Sequence, residues 1–264
     1  MSYILEASGE FERLEVQSAI PQYNFVEELR DFHPVPGHRV LDAGSGSGIV
    51  ARHLARSFPT VRVVAVDISA RRIELARAAS AGIANLTHEQ HDLRQLGHCD
   101  DSFDGAISRY VFQHLSDADQ ARVASELWRV LQPGARLCLI DVDGMGNLFP
   151  STPLVRVGID RLTRSRFIDM HVGRKLPSLL IAAGFSDIEW RIIPMCFAGA
   201  AMEAEIAQYQ SRFAQAGAAF NAVFASTEQG RQFIDEFYAC LRSEGAVLYY
   251  NKFVVMARKP ATRK

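Results

Sequence analysis

Cysteine is scarce in this chain of 264 residues and badly placed for chemistry: Cys99, Cys138, Cys196 and Cys240 lie far apart and form no C-x-x-C pair. That argues against a metal knuckle and a disulfide-stapled secreted scaffold, so the four read as reduced thiols and no residue is assigned to a metal. A surplus of one charge is lacking too, with 29 Lys and Arg against 30 Asp and Glu. Nucleic-acid binders carry a marked basic excess, so no nucleic-acid partner is expected. No apolar run approaches the roughly 20 residues of a membrane helix. The polar, acidic opening MSYILEASGEFERLE is unlike a signal or transit peptide. A soluble cytoplasmic protein without a membrane partner is expected. Repeats and low-complexity tracts are absent, and the length suits a single domain over residues 1–264.

What is present is an alternation of short apolar runs and amphipathic stretches. Runs such as VRVVAV and RLCLI read as strands at 39–43, 61–67, 85–91, 103–109 and 136–142, with helices at 47–58, 69–82 and 117–131 between them. Strands apolar on both faces call for a parallel sheet covered by helices, so the fold class is α/β, doubly wound. Ser69 is placed to cap the second of these helices and Gly82 to end it, while Pro133-Gly134 breaks the chain before the fifth strand. A short amphipathic helix is predicted at 9–19, closing near Pro21. Beyond residue 142 come a glycine-spotted loop (DGMGN), a helix near 154–164, a helix in GRKLPSLLIAAGF ending at Gly184, and strands at 187–194 and 247–258. Between those strands Met202, Ile206, Tyr209 and Phe213, then Phe233, Phe237 and Leu241, recur at helical steps. The chain therefore divides into an N-terminal segment (1–36), a core (37–194 and 247–264) and a helical cap insertion (195–246).

The run VLDAGSGSGIVARHLA, residues 40–55, is the first strand, turn and helix. In a doubly wound sheet ligands bind past the carboxyl ends of the strands, where the strand order reverses. The spacing Gly44-x-Gly46-x-Gly48 departs from the G-x-G-x-x-G that seats a pyrophosphate on a helix N-terminus, and Asp42 stands directly before it. A carboxylate there repels a pyrophosphate at short range and favours a cation. S-adenosylmethionine suits it, having no phosphate, an ammonium group and a positive sulfonium. Glycines would leave space for close approach that a Cβ would fill. Asp67, ending the second strand in VVAVDIS, can accept both ribose hydroxyls, and Asp92 in EQHDLRQL can take the adenine amino group. The plainer alternatives are that Asp42 caps the turn and Asp67 is an ordinary strand-end acid.

With FDGAISRYVFQHLSD and ELWRVLQPGARLCLID in the same register, these segments resemble the class I S-adenosylmethionine-dependent methyltransferases, in particular their small-molecule branch, over residues 39–143. The resemblance implies a Rossmann-like seven-stranded sheet of order 3-2-1-4-5-7-6 with strand 7 antiparallel, and an N-terminal helix acting as a lid. The cofactor-binding set it implies is Arg13, Gln17, Asp42, Gly44, Ser45, Gly46, Gly48, Asp67, Ile68, Asp92, Leu93 and Arg109. Arg13 could instead pair with a neighbouring glutamate. Arg109 could line the methionine end by its backbone, orient an anionic substrate or form a plain ion pair.

His114, just past the fourth strand, is the candidate catalytic residue: an imidazole there could take a proton from an acceptor hydroxyl or amine, or simply be bonded to backbone at a helix start. His171 is a weaker candidate. Tyr209, Phe213, Phe220, Phe224, Phe233, Phe237 and Tyr238 read as the buried face of the cap helices, some of them lining an apolar pocket. The N-P-P-Y/F tetrapeptide of nucleic-acid amino methylation, the paired-glutamate loop of protein arginine methylation and a convincing arsenic-methylating thiol set are absent. A small apolar acceptor remains: a quinone, terpenoid, polyketide or other specialised metabolite. The rivals are a protein of this fold that binds the cofactor without methylating, and a nicotinamide-dependent oxidoreductase, which Asp42 and the glycine spacing disfavour.

Overall fold

Seven strands form one sheet in the order β3-β2-β1-β4-β5-β7-β6 in the computed structural model, which describes residues 9–165 and 168–261. They are β1 (Arg39–Ala43), β2 (Arg62–Asp67), β3 (Leu86–Gln90), β4 (Phe103–Arg109), β5 (Leu131–Phe149), β6 (Ser186–Phe197) and β7 (Val247–Arg258). The first five run parallel, and β7 lies antiparallel between β5 and β6. Both the doubly wound class and the strand order implied by the resemblance are therefore observed. Residues 1–8, on which much of the reading of the chain's opening rests, lie outside the described residues.

Strand alternation distributes the core over both faces. Leu41, Ala43, Val64 and Val66 pack on one side with α5 (Asp117–Val130) and α7 (Leu176–Ala182), through Val123, Leu127, Leu176 and Leu180. Val40, Val63 and Ala65 face the other side, against Val50 and Leu54 of α3 (Ile49–Ser57). Each fully buried Leu or Val contributes roughly 1.5–3 kcal/mol, so the central strands anchor whatever their carboxyl ends carry. Ser69 caps α4 (Ala70–Ala79), its hydroxyl accepting from the Arg72 amide at 3.3 Å. That helix stops at Ala79, short of the expected residue 82: the amides of Ser80 and Ala81 bond to the i−3 carbonyls of Arg77 and Ala78 at 3.1 and 3.3 Å, and Gly82 turns the chain away at φ 83°.

Other borders differ from expectation as well: β5 begins at Leu131, so Pro133-Gly134 lies inside it, in the irregularity between the Phe103–Leu131 and Gly105–Arg136 pairs, rather than before it. The DGMGN loop is an irregularity inside β5: pairing with β7 breaks after Asp143 and resumes at Asn147, with Gly144 and Gly146 at φ 75° and 94°. Alternating hydrophobicity cannot reveal pairing across such a bulge. β6 continues through Pro194 to Phe197 because it is the edge strand, where a missing ladder donor is tolerated.

Helices α8 (Ala200–Asn221) and α9 (Thr227–Leu241) are inserted between β6 and β7, and α8 kinks at Gly217. Their aromatic faces join Tyr23, Met195 and Leu248 in a second core beside the sheet. Gly158 of α6 (Pro153–Ser165) lies so close to Phe233 that a Cβ would fall 2.1 Å from its ring. Two short N-terminal helices complete the chain, α1 (Glu10–Ser18) and α2 (Phe25–Glu28). Among the described residues no helix is long and apolar enough to cross a membrane.

Candidate active site

β1 is flanked by β2 on one side and β4 on the other, so the strand order reverses at the carboxyl end of β1. The glycine turn sits there, tied by the amides of Gly44 and Ser45 to Val66 O at 2.9 and 2.8 Å. Gly44, Gly46 and Gly48 have φ of 82°, 56° and 77°, a region that L side chains avoid. The space they leave is filled by the chain itself: a Cβ on Gly44 would meet Val111 Cγ2 at 2.4 Å, and one on Gly46 would meet Leu14 Cδ1 at 3.0 Å. The glycines thus let β4's exit loop and α1 close against the turn.

A cavity of about 1210 Å³ opens beside this turn, lined by all of the expected cofactor residues except Gly48, which supports the turn from behind against His88. Asp42 and Asp67 border the same space, as a single bound nucleoside would require. Asp42 is only 2 % exposed, and its Oδ2 makes no hydrogen bond with any described residue. Burial pushes its carboxyl up to about 7, the Asp67 carboxylate adding to the rise while the Ala51 amide and the Arg109 guanidinium oppose it. A buried carboxyl oxygen without a partner is open to a donor from water or from a ligand in the cavity.

Asp67 is held differently. Its Oδ2 accepts from the Gly46 amide at 2.9 Å, and its Oδ1 accepts from the Ser69 amide and from Arg72 Nη2 at 2.8 Å. Asp67 therefore ties the glycine turn to α4 as well as bordering the cavity. Asp92 is gripped by Arg94 of its own turn, Nη2 to Oδ2 at 2.6 Å and Nε to Oδ1 at 2.9 Å, which keeps its carboxyl below the usual range. Ile68 is 41 % exposed beside Asp67, and Leu93 is buried beside Asp92.

Arg13 and Gln17 reach the cavity from α1, both buried. Arg13 also forms the glutamate pair, Nη2 to Glu10 Oε1 at 2.6 Å, but inside the protein, with Nη1 donating to Gln208 of α8 at 2.9 Å. Arg109 takes the ion-pair role, with Glu28. His114 ends a single 3-10 turn, Phe112–His114, whose Gln113 amide donates to Asp141 Oδ2 at 3.2 Å. Burial, together with the positive charges of Arg13, Arg72 and Arg212, pushes the His114 imidazole down to about 3. His171 lines the same cavity, its Nδ1 buried and without a hydrogen bond to any described residue.

The far end of the cavity is aromatic. Of the series read in the sequence, Tyr209, Phe213, Phe233 and Phe237 line it, while Phe220 and Phe224 are packed behind them in the cap core. Sequence reasoning missed the polar group set into this wall. Glu205, fully buried, accepts from Arg212 Nη1 at 3.0 Å and from Tyr23 OH at 2.8 Å, and Tyr23 OH meets Tyr250 OH at 2.7 Å. The available signal was Glu205 and Arg212 flanking Tyr209 on one apolar helix, where lone charges need a buried partner.

Comparison with known proteins agrees with this geometry. Residues 40–134 match a family model described as a methyltransferase domain. Over 104 residues the chain is 36% identical to a demethylmenaquinone methyltransferase of Deinococcus radiodurans, covering 39% of this chain and 42% of that protein. It is 34% identical over 183 residues to the S-adenosyl-L-methionine-dependent Diels-Alderase iccD of Talaromyces variabilis, covering 63% and 60%. A phosphoethanolamine N-methyltransferase 2 of Haemonchus contortus, solved with S-adenosylhomocysteine, shares the fold at a TM-score of 0.64 and 21% identity, over 98% of this chain and 60% of that one. The chain spans about half the length of the curated relatives it matches. The strand order and the matched methyltransferase domain both agree with the class I methyltransferase resemblance read in the sequence.

Proposed function

We propose that the protein is an S-adenosylmethionine-dependent methyltransferase acting on a small apolar organic acceptor. The observation that carries this reading is one cavity running from Asp42 and Asp67 at the strand ends to the aromatic wall of the cap. The orphaned Asp42 oxygen suits an ammonium, Asp67 the ribose hydroxyls, and Asp92 with Ile68 and Leu93 the adenine end. Arg13 and Gln17 would take the carboxylate from α1. When bound, S-adenosylmethionine supplies a methyl group already activated on a sulfonium. The chain's own task is then to hold the acceptor close, align it and exclude water. Tyr209, Phe213, Phe233 and Phe237 provide apolar burial for it. His114, held neutral by burial and the nearby arginines, orients an acceptor hydroxyl by accepting its hydrogen bond; its lowered pKa makes it a weaker base than an ordinary imidazole.

Calorimetry with S-adenosylmethionine and NADH, followed by mass spectrometry of quinol, terpenoid and polyketide panels, tests the proposal. Binding of the sulfonium nucleoside alone, S-adenosylhomocysteine release and an acceptor gaining the mass of one CH₂ are expected; NADH binding in its place would overturn it. The weakness of His114 as a base, with the name of the Talaromyces relative, also supports a second reading in which the bound cofactor stays intact and the aromatic chamber folds an apolar polyene for cyclisation. Under that reading the product keeps the mass of its substrate and no S-adenosylhomocysteine forms.

A further inference from the structure

Away from the cavity chemistry, three ligand-type side chains meet at the outer end of the edge strand β3. Glu89 lies on β3, His91 directly follows it, and His98 comes from the loop leading to β4. One ligating atom from each lies within 4.8 Å of the other two, the one such group among the described residues. Glu89 Oε2 is 3.2 Å from His91 Nε2 and 3.5 Å from His98 Nε2. Ligands about 2.0–2.1 Å from a tetrahedral zinc ion stand roughly 3.3–3.4 Å apart, so both contacts have the length of a coordination edge.

Glu89 Oε2 lies at ion-pair distance from both imidazoles, but only its contact with His91 is a hydrogen bond. The His98 side chain is 10% exposed, and its Nε2 is buried with no hydrogen bond to any described residue. Its ring is fixed edge-on against Phe103, with centroids 4.9 Å apart, and its backbone carbonyl accepts from Arg129 at 2.9 Å. His91 packs where a side chain on residue 97 would collide with it, a Cβ on Gly97 falling 2.8 Å from its ring. Both imidazoles are thus held in place with a ring nitrogen turned to one carboxylate oxygen.

We propose that Glu89, His91 and His98 bind a zinc-class divalent cation, with two imidazoles and one carboxylate as ligands and water completing the shell. Two imidazoles and a carboxylate are a donor set that zinc accepts with an open fourth position. The group is inconspicuous along the chain, since H-x₆-H fits none of the compact ligand spacings and no cysteine accompanies it.

The test uses full-length protein stripped of metal with a chelator. Titration with ZnCl₂ is expected to show one ion per chain and a raised thermal midpoint, and Co²⁺ is expected to give the visible absorption of a four-coordinate nitrogen–oxygen site. His98→Ala and Glu89→Gln should each weaken zinc binding by more than about tenfold. Each should lose the zinc-dependent rise in thermal midpoint relative to its own midpoint in metal-free buffer. If His98→Ala fails to fold, His91→Gln, at a more exposed ligand, replaces it. Zinc stoichiometry well below one, wild-type affinity in the variants, or a thiolate absorption band with Co²⁺ would overturn the proposal.

Discussion

Arg109 at the end of β4 and Glu28 at the end of α2 form a buried ion pair, Nε to Oε2 at 2.5 Å. Lys252 of β7 donates to the other carboxylate oxygen of Glu28 at 2.6 Å, and Arg109 also donates to Tyr23 O at 3.0 Å. Burial pushes the Glu28 carboxyl up, but the two cations outweigh it and leave it below its ordinary value. The same carboxylate therefore holds the N-terminal helices to the sheet directly beneath the cavity.

Replacing Glu28 by Ala leaves two cations buried without their counter-ion, and removal of one partner from such a group costs about 3–5 kcal/mol. Urea denaturation of Glu28→Ala should show that loss, against a much smaller one for Glu27→Ala, whose side chain is 46% exposed. Because the folded-state pKa of Glu28 is depressed, its stabilisation is present above the ordinary value of 4.5 and lost as the pH falls through the folded value. Wild-type stability should thus fall more steeply below pH 4.5 than that of the variant.

Asp42 behaves in the opposite sense. Its folded pKa stands at about 7 against an ordinary 3.8, so the unliganded protein loses stability as the pH rises through that window, and Asp42→Asn should flatten the slope. A bound ammonium would ionise the carboxyl, releasing a fraction of a proton near pH 7. Calorimetry of S-adenosylmethionine binding in buffers of different ionisation enthalpy should report that release in the wild type and lack it in Asp42→Asn. Affinity in the variant should drop by roughly tenfold to a hundredfold, as a charge-assisted bond is lost. Equal proton release in both proteins would remove Asp42 from the binding site.

For His114 the depressed pKa, about 3, makes the imidazole neutral across the working range. Turnover should show no inflection from this residue between pH 5 and 8. His114→Gln, which keeps an acceptor oxygen near the same place, should retain most of kcat, while His114→Leu should lose more. A wild-type rate that rises with a midpoint near pH 6 and flattens in His114→Gln would restore it as a general base.

The sheet was legible because its evidence is local: apolar runs such as VRVVAV on both faces of a strand, and Ser69 before a helical run, each imply their element without distant partners. The strand order came from resemblance, since periodicity says nothing about which strands are neighbours. Asp42 and Asp67 stood out because a turn of known geometry follows one and the other ends the next strand. The Glu205–Arg212–Tyr23–Tyr250 group and the Glu28–Arg109–Lys252 group were not legible. Their members are separated by up to 227 residues, and only the folded chain brings them together.

The glycine turn offers a test that separates backbone strain from crowding. Ala at position 44 would have to hold φ near 82° and would place its Cβ 2.4 Å from Val111 Cγ2. The dihedral costs about 1–2 kcal/mol in an L residue, and overpacking adds about 1–3 kcal/mol. Val111→Ala removes the methyl group that collides, so in the Gly44→Ala background it should recover the second part and leave the first. A double-mutant cycle read by denaturation should therefore give a coupling of about 1–3 kcal/mol between two residues far apart in sequence. Full additivity would mean that the turn does not close on the β4 exit loop, and the cavity's wall at Gly44 would have to be redrawn.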